Sequence, residues 1–65
     1  MRKGQTVYTI NAKTNEIDSW TYMGSMRTEK ELLIQLTQGR DHCYIPARCV
    51  FESESEARFV ADFYK

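Results

Sequence analysis

Three side chains in this sequence could ligate a metal or act as a nucleophile: His42, Cys43 and Cys49. A structural zinc site takes four ligands, commonly with its cysteines two to four residues apart. Here five residues separate the thiols, and the one histidine brings the set only to three. His42 and Cys43 are adjacent, so on a strand they point to opposite faces. Cysteine is often a core residue in its own right, so ordinary packed or half-packed thiols are expected, with no metal and no cofactor. A cysteine–histidine nucleophile needs the two groups in hydrogen-bond contact. Cys49 with His42 could supply that, but no third orienting group or oxyanion hole accompanies them. No enzymatic activity is expected.

The acids around Glu52 have a local explanation. Ser53-Glu54-Ser55-Glu56 is a capping box, in which Ser53 accepts from the Glu56 N–H and the Glu56 carboxylate reaches back. Glu54 and Glu56 also lie in a first helical turn, where the dipole favours negative charge. Ala57, Val60, Ala61 and Tyr64 then recur at helical spacing as an apolar stripe, widened by Phe59 and Phe63. A helix over about 54–64 this short is unstable alone, and a sheet is the only surface left for it to dock on.

That sheet is read from two runs. Residues 5–10 are mostly β-branched or aromatic, and residues 16–23 resume the pattern with Ile17, Trp20 and Tyr22. The polar stretch 11–15 between them makes a hairpin, and Gly24 marks a bulge or bend near the second strand's end. Residues 28–39 admit two readings. Thr28-Glu29-Lys30-Glu31 matches a capping box, with Leu32, Leu33 and Leu36 at helical spacing and Gly39 at the C-cap position. Read as a strand, Leu32, Ile34 and Leu36 share one face, and residues 37–41 turn into His42-Cys43-Tyr44-Ile45. Context favours the strand. Pro46 is expected to break that run, with a tight turn and a short closing strand carrying Val50 and Phe51.

In the hairpin reading Trp20 and Tyr22 share a sheet face, which Tyr8 could join. Beside Arg27 or Arg48 such rings can stack nucleobases. The same rings serve as core or as a protein interface in so small a domain. No Lys/Arg stripe interleaves them, so core ranks first, protein interface second and nucleic acid third.

The pieces Lys3-Gly4-Gln5-Thr6-Val7-Tyr8, Tyr44-Ile45-Pro46 and Val50-Phe51-Glu52-Ser53-Glu54-Ser55-Glu56-Ala57 resemble small SH3-like barrel proteins of bacterial and bacteriophage origin. The matching pieces cover about a third of the chain. They imply an α+β fold, a small antiparallel SH3-like sheet or barrel with a C-terminal helix. They also imply a phage or prophage source, and no substrate.

Composition bounds the rest. Sixty-five residues make one domain, and 42% hydrophobic content with 12% aromatic is too apolar for a disordered chain. Nine basic residues balance nine acidic ones, without the basic excess that phosphate contacts use. Such balance gives little colloidal repulsion, so a homodimer is also considered. The charged start is followed by a strand-like run and not by a secretory apolar core. No apolar run approaches the ~20 residues of a membrane span, so the cytoplasm is expected. The function expected is a non-enzymatic protein-interaction module, such as a small phage protein modulating a host protein. Its candidate binding residues are Trp20, Tyr22, Arg27, Arg48, Phe59 and Phe63. The alternative is a nucleic-acid-binding SH3-like or OB-like module using Trp20, Tyr22 and Arg27.

Overall fold

The first hairpin is shaped by its connection. In the computed structural model, which describes residues 1–63, β1 (Thr6–Ile10) pairs with β2 (Ile17–Arg27) through residues 11–16. The Lys13 N–H donates to Asn11 Oδ1 at 2.9 Å, and the Asn15 N–H donates to the Asn11 carbonyl at 2.7 Å. Asn15 sits at φ 61°, a left-handed conformation that asparagine tolerates better than most residues. β2 runs four residues past the expected end at Met23. Its register against the next strand slips between Tyr22 and Gly24. Gly24 has φ +152°, and a Cβ there would meet nothing nearer than Gln35 Oε1 at 4.0 Å. The bulge therefore needs glycine for its backbone angle and not for space.

Residues 32–38 are a strand. β3 (Leu32–Gln38) lies between β2 and β4 (Asp41–Pro46), giving the antiparallel order β1-β2-β3-β4. The helix-like signal at Thr28 is spent on a turn. Thr28 Oγ1 accepts from the N–H groups of Lys30 (3.3 Å) and Glu31 (3.1 Å), while the Thr28 N–H donates to the Glu31 carbonyl at 2.9 Å. These bonds close the connection between β2 and β3. The following residues alternate, and Ile34 and Leu36 are fully buried on one face. A helix would bury a different set. At the next turn only Gly39 of the Gly39-Arg40 pair has positive φ (+61°), the pattern of a type II′ hairpin.

Pro46 ends the run as expected, one residue later: it is the last residue of β4, opposite Leu33. β4 is an edge strand, where a missing N–H costs no ladder bond if it faces outward. A 3₁₀ turn, Ala47–Cys49, then carries the chain across to β1. The expected closing strand is reduced to one bridge, in which Phe51 and Tyr8 exchange two hydrogen bonds of 2.8 Å. The sheet is not closed into a barrel.

The core is one face of this sheet. Val7, Ile34 and Leu36 form its centre, with Trp20, Tyr22, Leu32, Cys43, Ile45, Ala47 and Val50 packed around them. Register explains the set: Val7 lies opposite Trp20, Leu36 opposite both Tyr22 and Cys43, and Ile34 opposite Ile45. Tyr8 lies opposite Ser19 and faces away. It does not join Trp20 and Tyr22, because the hairpin register places it on the other side of the pleat.

The fold ends in α1 (Glu54–Phe63), which packs on β1 and β2. Ser53 Oγ accepts from the Glu56 N–H at 3.2 Å, as a cap should. At the other end Asn15 Nδ2 donates to the Ala61 carbonyl at 3.1 Å, so the first hairpin loop satisfies one of the helix's terminal acceptors. Ala57 and Ala61 are the buried residues of the helix. Their small side chains let the helix approach the strands closely. Tyr64, expected to complete the stripe, lies outside the described residues.

Candidate functional site

The aromatics of β2 are committed to the core. Trp20 is half-buried, and its Nε1 donates to Thr9 Oγ1 at 3.0 Å, satisfying the indole while the ring packs on the Val7 cluster. Tyr22 packs against the same cluster. Neither forms an open stacking platform on the sheet. Arg27 is exposed at the end of β2, opposite Leu32. Arg48, in the 3₁₀ turn, is hydrogen-bonded to Glu31. That bond and the Glu31 charge hold its guanidinium above its already high ordinary pKa.

The thiols sit apart in character. Cys43 is half-buried against the core, and burial pushes its pKa up, which keeps it a protonated, slow thiol at neutral pH. Cys49 is exposed. His42 is exposed on β4, opposite Thr37. Among the described residues no three His, Cys, Asp or Glu side chains come together as metal ligands.

The helix presents the other aromatic pair. Phe59 and Phe63 are 73% and 75% exposed, the most exposed of the large apolar side chains. At about 100° per residue, they lie on the opposite side of α1 from Ala57 and Ala61. They therefore do not widen the buried stripe but form a second one, one turn apart, with Ser55 in line. Glu56 flanks this ridge on one side and Asp62 on the other. Beside it the surface is hollowed. One shallow concavity is lined by Phe51, Ser55, Glu56, Phe59 and Val60. A second, lined by Ile10, Asn15, Arg48 and Cys49 among others, shares Phe51 and Val60 with the first. The two adjoin at Phe51 and Val60 as a trough between the Phe59 ridge and Ile10, to whose second part Asn15 and Arg48 add polar groups. β1 and the hairpin loop form its far wall.

Nothing in the local sequence singles out Phe51, Val60 or Ile10 as site residues. Phe51 reaches the trough only because the 3₁₀ turn brings it to the edge of β1, which no local pattern announces. The opposition of Phe59/Phe63 to Ala57/Ala61, by contrast, follows from helical spacing alone.

No protein-family model, no curated protein and no solved structure matches this chain. Among the described residues no helix is long and apolar enough to cross a membrane.

Proposed function

We propose that this protein is a non-enzymatic protein-interaction module whose docking surface is the Phe59/Phe63 ridge with its adjoining trough. The observation that carries this reading is the exposure of two phenylalanines on a helix already fully seated through its alanines. Clustered exposed apolar side chains beside a hollow are typical of an interface. The Phe51–Tyr8 bridge after a 3₁₀ turn supports an SH3-like plan for the sheet. The resemblance of the strand and helix motifs to small bacterial and phage proteins adds a host protein as the partner. A nucleic-acid role has less support, because Trp20 and Tyr22 pack inward and Arg48 is engaged by Glu31.

Affinity capture from bacterial lysate tests the reading when run in parallel on the wild type and on Phe59→Ser/Phe63→Ser. A protein retained by the wild type and lost with the double variant is expected. Identical capture by both, with the variant folded by circular dichroism, would overturn it.

A further inference from the structure

We infer that the segment received by this surface is a basic amphipathic helix of another protein, with apolar anchors flanked by Lys or Arg. The inference rests on the docking reading above and names the partner's chemistry. Its ground is the charge around the ridge. From 52 to 63 the chain carries Glu52, Glu54, Glu56 and Asp62 against Arg58 alone. Arg58 is already engaged, 3.5 Å from the Glu54 carboxylate and one helical turn away from it. Glu56 and Asp62, the two acids bordering the phenylalanines, form no ion pair among the described residues, although Arg58 stands one turn before Asp62. An apolar ridge bordered by an acid on each side is complementary to an apolar stripe with a base on each side.

Shape points the same way. Phe59 and Phe63 stand about 6 Å apart along the helix axis, and the trough over Phe51 and Val60 runs beside them. A helix bearing anchors at i and i+3 or i+4 can lay one into the trough and pack others along the ridge. A second copy of this chain fits less well, because it sets one segment of four acids and one base against another. An anionic lipid surface or a nucleic acid meets the same two acids.

The test uses the intact protein and two dye-labelled synthetic helices with the same leucine anchors, one flanked by lysine and one by glutamate. Fluorescence anisotropy should show the lysine peptide binding and the glutamate peptide at least about tenfold weaker. Phe59→Ala should weaken the lysine peptide about tenfold or more. Glu56→Gln and Asp62→Asn should each weaken it about three-fold, and raised salt should weaken it further. Equal binding of both peptides with the Phe59→Ala loss intact would overturn the basic partner and leave the docking surface standing. Binding of neither peptide, or sedimentation of the protein with phosphatidylglycerol vesicles, would also overturn it. The lysate comparison then judges the docking reading separately.

Discussion

Trp20 and Tyr22 on β2 and Phe59 and Phe63 on α1 are two aromatic pairs put to different uses. The first pair is two residues apart on a strand, which puts both rings on one face of the pleat. That face carries Val7, Ile34 and Leu36, so the rings become core. The second pair is four residues apart on a helix, which also puts both rings on one face, but not the face that Ala57 and Ala61 bury. Ring type and pair spacing alone do not separate the two cases. What separates them is whether the shared face is the one the neighbouring elements cover.

The largest effect should come from the buried pair. Trp20→Ala removes an indole from the core and leaves Thr9 Oγ1, on a buried residue, without its donor. A loss of about 3 kcal/mol is expected by urea denaturation. That is a large share of the total stability of so small a domain, and a loss below about 1 kcal/mol would place Trp20 outside the core. Next comes the seat of the helix. Ala57→Leu forces four-carbon bulk between α1 and the sheet and should cost about 1–3 kcal/mol. A neutral result would mean the helix does not rest on that face. Phe59→Ser, in contrast, should shift stability by less than about 0.5 kcal/mol, with the thermal midpoint as readout. The smallest effect concerns Cys43. Its folded pKa lies above the ordinary thiol value of 9.0 because burial disfavours the thiolate. Below pH 9 both states hold the proton and stability is unaffected. As pH rises past 9 the unfolded chain ionises first, so stability declines. Cys43→Val should remove that part of the slope, measured as the difference between the two pH profiles.

The helix at 54 and the strand at 32 show how much of the fold local signals can give. Thr28 and Ser53 both accept a hydrogen bond from the N–H three residues on, at 3.1 and 3.2 Å. Both were legible as caps. Only Ser53 starts a helix, because the residues after it repeat at helical spacing around two alanines. After Thr28 comes an alternating run that gains more by pairing on both sides, and the same bond closes a turn instead. The first hairpin was legible from its β-formers and its polar loop. Pro46 was legible as the end of its run, and as the last residue of an edge strand it stops the ladder without interrupting it. The trough was not legible at all. Its walls come from β1, the segment after the 3₁₀ turn and the helix, and long-range contacts assemble them: the bridge at Tyr8 and the Asn15–Ala61 hydrogen bond.

The central claim is that Phe59 meets a partner while Tyr44 on β4, an exposed aromatic away from the ridge, does not. A photo-crosslinking phenylalanine analogue placed at 59 or at 44, irradiated in bacterial lysate, tests it at the level of a single side chain. The account predicts a discrete heavier adduct containing a second protein from position 59 and none from position 44. An adduct from 44 with none from 59 would place the interface on the sheet and contradict it.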